Sequence, residues 1–385
     1  NRAGRRRQQL QRNQFGGTFS GPIWIPKLYN GRNKSFFFFG YEGLRERQAG
    51  SFTGTVPTAI EKQGNFSQTR DVNGTLIQIF DPLTTRLDPD RPAGTTRFLR
   101  TPFAGNVIPT NRFTAVGGNL PGSYPPANHP GRGASSVDNF FSNVPSSSNQ
   151  DRIDVKIDHQ LSEKHVIMGR YNEYVNENIT PSYYSNPASP STSNSLPGLS
   201  VQGRHTWLIS NRDIFEHSFV YGYTESGRTT PGAGFDPLQL GFASSAAQGL
   251  KVKAYPAVTA NRLAGSGIPQ IAVSSNRPEV YQYRATMTMI RGNHSLKAGF
   301  DYRTLAGNII IQPPLSVAAT SNFTGGPNPA AALAASGSGI ADLLLGAASV
   351  TATIVPFEQV RRPYIGVFMQ DEWRLTPRLT LTYGL

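Results

Sequence analysis

The sequence predicts an all-β fold: an antiparallel transmembrane β-barrel with long extracellular loops, of which this chain supplies about ten strands. Three observations predict it. Residues Arg152-Ile153-Asp154-Val155-Lys156-Ile157-Asp158-His159 alternate ionic or polar with β-branched side chains. Paired segments of this kind recur down the chain, and the connections between segments alternate between tight and long.

Successive side chains on a strand point to opposite faces, so Ile153, Val155 and Ile157 share one wall and Arg152, Asp154, Lys156 and Asp158 the other. The ionic set suits a watery lumen and the aliphatic set suits lipid. A tight reversal at Leu161-Ser162-Glu163-Lys164 leads into a return strand over 165–175. A second pair covers 201–209 and 213–225, reversed at Ser210-Asn211-Arg212. The third covers 281–290 and 295–305, and its Gly292-Asn293 corner supplies the positive φ that a hairpin loop needs. In its return strand Leu296, Ala298, Phe300 and Tyr302 are lipid-facing candidates, while Lys297, Asp301 and Arg303 face the lumen. A fourth pair covers 364–375 and 378–385. The strands so read approach the ~9–11 residues that cross a bilayer at a tilt.

Long connections follow at 176–200, 226–280 and 306–363, whereas structureless connections beyond ~12–15 residues are uncommon in compact soluble domains. Short turns on one rim and long loops on the other match a bacterial outer-membrane barrel, its turns periplasmic and its loops extracellular. Three parts result: 1–48 with the first strands, a Pro-rich extracellular loop over 49–150, and four hairpins over 151–385. The prolines of the middle part, from Pro57 to Pro145, remove backbone donors and exclude a central strand. Such a loop either caps the barrel mouth and touches ligand or serves as a passive cover. Within 330–350 the apolar run is broken by Ser336, Gly337, Ser338, Gly339 and Asp342, so 339–345 reads as a short loop helix on the barrel rim.

Phe36, Phe37, Phe38 and Phe39 place rings on both faces of one strand. Their inner rings either pack on a plug or inward-folded loop, or offer a stacking platform to a ligand. Net charge is +13, with Arg2, Arg5, Arg6, Arg7 and Arg12 clustered at the start. No recognition helix, zinc pattern or aromatic-and-basic platform accompanies that charge, so nucleic acid is not an expected partner; lipopolysaccharide phosphates and the lumen account for it. The sequence contains no cysteine, Gly-x-Ser-x-Gly elbow, His-Glu-x-x-His helix or phosphate loop, so neither an enzyme nor a cofactor is expected. The six histidines lie far apart in sequence except His159 and His165, which read as interfacial side chains rather than metal ligands. Asp151, Asp154 and Asp158 read as a solvated stripe, since the glycine turn and terminal Glu of a calcium loop are missing. The chain starts without Met or an apolar signal region and stops within a strand pattern, so an internal piece of a longer protein is expected.

One set of residues resembles a known family. Asn13-Gln14-Phe15-Gly16-Gly17-Thr18-Phe19-Ser20-Gly21-Pro22-Ile23, then Asn30-Gly31-Arg32-Asn33-Lys34-Ser35 and Phe36 to Gly43, are similar to the barrel start of Oar-like TonB-dependent receptors. Thr55-Val56-Pro57-Thr58, Gly64-Asn65-Phe66-Ser67, Asp81-Pro82-Leu83-Thr84 and Gly105-Asn106-Val107-Ile108-Pro109 continue the series. It ends with Asp158-His159-Gln160-Leu161-Ser162, Ile340-Ala341-Asp342-Leu343-Leu344-Leu345-Gly346 and Gln370-Asp371-Glu372-Trp373-Arg374. The resemblance implies a monomeric barrel of about 22 strands with a plug before it. It also implies coupling to the TonB energising complex through a segment outside this sequence, and an unidentified extracellular ligand such as an oligosaccharide, siderophore or peptide. A TonB box, the plug and a terminal aromatic strand are not in this sequence, so the transport function rests on the resemblance. A structural or adhesive surface barrel and a soluble glycan-binding β-protein are the alternative classes.

Overall fold

The computed structural model describes residues 10–266 and 273–385. The basic cluster at Arg2, Arg5, Arg6 and Arg7 lies outside them. The expected all-β architecture is present as one large antiparallel meander. Its long strands are β1 (Leu10–Pro22), β2 (Ser35–Gly54), β3 (Phe140–Ser162), β4 (His165–Ile179), β5 (Gly198–Ser210), β6 (Asp213–Thr224), β7 (Val273–Arg291), β8 (His294–Gln312), β9 (Glu358–Thr376) and β10 (Leu379–Gly384). Each pairs with the next in chain order, and the short strands Ser193–Ser195 and Ser226–Thr229 bring the sheet to twelve.

All four tight turns fall where the alternation breaks. At the third, Arg291 pairs directly with His294, leaving Gly292 and Asn293 as a two-residue loop in which Gly292 takes φ +58°. A glycine at the first loop position is the residue such a primed turn requires. The other three turns sit beside register shifts, at Gln160/Ser162, Leu208/Ser210 and Arg374/Thr376. Bulges of this kind add local twist and close the corner.

The strands are longer than the sequence suggests. β2 has 20 residues, β3 has 23, and β7, β8 and β9 have 19 each. The excess lies on the loop side, because the turns at the other end are tight. The Pro-rich connection accordingly runs over 55–139 rather than 49–150, and the 226–280 and 306–363 connections shrink at their ends. Prolines are part of the reason: Pro145, read as excluding a strand, lies inside β3, and Pro278, expected in the 226–280 connection, lies inside β7. Each occupies a position with one edge open. The β3–β4 ladder starts only at Ser147, and the partners of β7 skip Pro278 between Asn276 and Glu279. A missing N–H costs little where no acceptor waits for it.

The hydrophobic core lies mainly outside the sheet. Segments from the four long connections, 55–139, 180–197, 225–266 and 313–357, fold together into a cap. It contains a parallel pair, Ala257–Ala260 with Ser316–Ala319, flanked by Leu263–Ser266 and Ser349–Thr351. It also holds helices α1 (Ala59–Lys62), α2 (Ala115–Gly122), α3 (Ser244–Ala247) and α4 (Gly339–Leu344). One cluster joins Val56, Leu120, Tyr184, Leu240, Val258, Leu315 and Val317; the other joins Phe66, Ile77, Ile79, Ile108, Ile340 and Leu344. The expected loop helix is thus present as α4, but it packs against α2 and this cap core instead of the barrel rim. No helix among the described residues is long and apolar enough to cross a membrane, which leaves crossing by strands untouched.

Candidate functional site: a polar sheet face under a folded cap

Cross-strand register sorts the side chains into two faces, since directly opposed residues share a face. Lys156 pairs with Arg170, Arg170 with Gln202, Gln202 with Val220, Val220 with Gln282, and Gln282 with Arg303. Lys156 and Arg303, far apart in sequence, therefore lie on one face at one height. Arg152, Asp154, Asp158, Lys297 and Asp301 share that polar face. A parallel chain of pairs, Val155 with Tyr171, Val201, Tyr221 and Tyr281, carries Ile153, Ile157, Leu296, Ala298, Phe300 and Tyr302 on the opposite, apolar face. There Val367 is 77% exposed, Ile365 67% and Phe219 50%. A contiguous apolar face this open is what a bilayer covers.

The polar face is held by ion pairs across and along strands. Arg170 bridges Asp154 at 2.5 Å, Lys156 meets Asp158 at 2.7 Å, and Arg303 meets Asp301 at 2.8 Å with Gln282 donating to the same carboxylate. Asp151 departs from the expected Asp151, Asp154 and Asp158 stripe: its register puts it on the opposite face, where Arg45 clamps both its carboxylate oxygens at 2.7 and 2.9 Å. Arg152 has no ion pair or hydrogen bond among the described residues. It lines two adjoining clefts, one of about 450 Å³ with Arg12, Gln14, Glu42, Tyr174 and Asn176, the other of about 360 Å³ with Asp154, Arg170, Asn172 and Gln202. With Asp151 also in the first lining, the two clefts present three guanidinium groups, three carboxylates, a phenol and several amides, a mixed set of donors and acceptors that suits polyhydroxyl or other polar ligands.

The phenylalanine run divides between the faces. Phe37 and Phe39 lie on the apolar face, with Phe37 tilted against Phe19 at 5.2 Å. Phe36 and Phe38 lie on the polar face, where Phe36 opposes Asp158 near the tight-turn end and is 45% exposed. They are far from the cap, so a platform for a ligand captured at the loop end does not include them.

The cap is rooted on the polar face. The β2–β3 register runs unbroken from Ser35/His159 to Gly54/Phe140, so Phe52 and Phe140 share the face of Asp154. Phe52 stacks on Tyr183 at 4.6 Å, and Tyr184 meets Phe52 and Phe140 edge-on at 6.0 and 5.5 Å. Inside the cap, Asn139 takes a hydrogen bond from the Val56 N–H at 2.8 Å and gives one to its carbonyl at 2.9 Å. Asn106, at φ +61°, accepts from Ile79 N–H and donates to the Phe66 and Ile77 carbonyls. Thr58 and Glu61 form a capping box at the start of α1. The Asp342 carboxylate accepts from the Thr324 hydroxyl at 2.6 Å and from the Thr324 and Phe323 N–H groups. Burial holds its pKa above the ordinary carboxylate value, against the pull of those donors. Burial also pushes the Tyr255 phenol up to about 12 and lowers the Lys62 ammonium, which donates to the Tyr124 carbonyl. The short motifs over 55–109 and 340–346 are therefore the joints of the cap. Their spacing in sequence says nothing of this, because the partners lie up to hundreds of residues apart.

A wall of meandering strands, polar on one face and apolar on the other, with its core in the loops, defines an outer-membrane β-barrel protein. The family profile described as outer membrane beta barrel domain matches residues 1–385, and the chain belongs to that family, placing it in the outer membrane of a Gram-negative bacterium. Among solved structures, the ferric-catecholate import receptor Fiu of E. coli K12 in its closed form is 11% identical at a TM-score of 0.40, over 99% of this chain and 44% of Fiu. The ferric citrate transporter FecA in its unliganded form is 8% identical at 0.32, over 91% of this chain and 35% of FecA. The Pseudomonas putida toluene transporter TodX is 7% identical at 0.24, over 98% of this chain and 72% of TodX. This chain thus spans less than half the length of Fiu or FecA. A search of curated protein sequences returns no match.

Proposed function

We propose that this chain is barrel wall and cap of an outer-membrane receptor that takes up a large polar ligand, with the polar face lining the lumen and the apolar face in lipid. The observation that carries the reading is the rooting of the cap at Phe52 and Phe140, on the face that bears Arg152, Arg170 and the clefts. A ligand entering past the cap meets that surface next. Energising by TonB and Oar-like membership rest on the sequence motifs. So does a plug, against which the polar-face rings Phe36 and Phe38 would pack. The free edges of β1 and β10 support a wall completed by further strands, since unpaired backbone groups are not tolerated in hydrocarbon. Oligosaccharides, and peptides or siderophores carrying both donors and acceptors, suit the charge-balanced lining.

Replacing 58–136 by a short Gly-Ser linker in the full-length protein should lower ligand capture while leaving barrel in the membrane. Uptake of labelled siderophores, peptides and oligosaccharides, with and without the energising complex, reads the result. Uptake that survives loss of that complex would favour the surface-barrel alternative.

A further inference from the structure

Register gathers three histidines that are scattered in the sequence. His205 on β5 opposes His217 on β6 directly, and His165 on β4 opposes Trp207 on β5. His165 Nδ1 and His205 Nε2 are 3.0 Å apart, and His205 Nδ1 and His217 Nε2 are 3.1 Å apart. Trp207 stacks on His165 at 5.6 Å, and Phe215 on His217 at 5.6 Å. Every N···N contact takes one donor and one acceptor, so the neutral row ends in one N–H and one lone pair; a single added proton makes both ends donors. These ends, His165 Nε2 and His217 Nδ1, have no hydrogen-bond partner among the described residues.

The row lies on the apolar face close to the tight turns. His205 is about five residues from the Asn211-Arg212 corner, or on the order of 10 Å above it for a tilted strand. That is headgroup depth. One pair further from the turns, Gly169 opposes Gly203, and a Cβ at either would meet nothing within 4 Å. The apolar wall is therefore dented there, between Ile157 and Phe219. The positions opposing the row, Ile167 and Ala285, bring no charge, Tyr283 tilts onto His217, and Arg204 and Glu216 project to the other face. The imidazole nitrogens point at one another rather than at a common centre, and no group of three ligands among the described residues could hold a metal.

We propose that the His165–His205–His217 row is a binding site for an anionic glycerophospholipid of the periplasmic leaflet, the phosphate held by imidazole N–H and one acyl chain lying in the Gly169/Gly203 dent. The site rests on the apolar face being lipid-facing. The test uses the full-length protein in nanodiscs of phosphatidylcholine doped with phosphatidylglycerol, with retained lipids counted by native mass spectrometry. Unaltered protein should retain phosphatidylglycerol preferentially. The double variant His165→Phe/His217→Phe keeps the rings but removes both terminal imidazole donors, and should lower that retention about tenfold; Gly203→Ala puts into the dent a Cβ that meets nothing within 4 Å and should also lower it. Equal retention of the two lipids by unaltered protein overturns the site whatever the variants do, and so does retention unchanged in both variants. Protein that does not enter the disc at all overturns the membrane placement as well.

Discussion

Phe300→Arg is expected to stop the barrel assembling. Phe300 lies mid-strand on β8 between Ala285 and Val367, on the face proposed to contact lipid, where an arginine near the midplane costs ~2–4 kcal/mol. Lys297→Ala, three positions away on the opposite face, should assemble normally, because it removes a solvated charge that is in no ion pair among the described residues. Heat-modifiability on gels separates the outcomes: Phe300→Arg should run only as the unfolded form, and Lys297→Ala should show the folded band. Equal behaviour of the two would contradict the assignment of faces.

Asn106→Ala should loosen the cap and spare the sheet. The side chain satisfies the Ile79 N–H and the Phe66 and Ile77 carbonyls inside a cluster where Phe66, Ile77 and Ile79 are wholly buried. Alanine leaves the Ile79 N–H and the Ile77 carbonyl unpaired, and the Phe66 carbonyl with only the Thr69 N–H, at a backbone φ that disfavours it, a loss of about 3 kcal/mol. Limited proteolysis of intact cells should cut within 55–139 in the variant and not in the parent, with the folded band unchanged. Asp342→Ala should act alike, since it orphans the Thr324 and Phe323 donors.

The hairpins were legible because their signal is local: alternation at Arg152 to His159 or at Leu296 to Arg303 needs no distant partner, and Gly292-Asn293 marks its own turn. Strand ends were not legible. Pro145 looks like a breaker, and Pro278 like part of a loop, until it is known that the ladder on one side is missing or interrupted at each. The cap core was hidden for another reason. Val56, Leu120, Tyr184, Val258 and Leu315 are scattered among Gly, Pro, Ser and other small or polar residues, so their segments do not look hydrophobic and only the fold collects them. A helix at Gly339–Leu344 could be read from its short apolar run, but not its packing partners. The histidine row likewise depends on register across β4, β5 and β6, and sequence spacing had left those residues apart.

The central claim, a loop-built cap on the cell surface over a membrane wall whose tight turns are periplasmic, is tested most directly by labelling. The sequence contains no cysteine, so single cysteines introduce the sole thiol. Leu83 in the cap is 78% exposed, and Asn211 and Asn293 sit in tight turns. With a membrane-impermeant maleimide, Leu83→Cys should label on intact cells, whereas Asn211→Cys and Asn293→Cys should label only after the outer membrane is breached. Labelling of the turn cysteines on intact cells, or protection of Leu83→Cys there, would contradict the account.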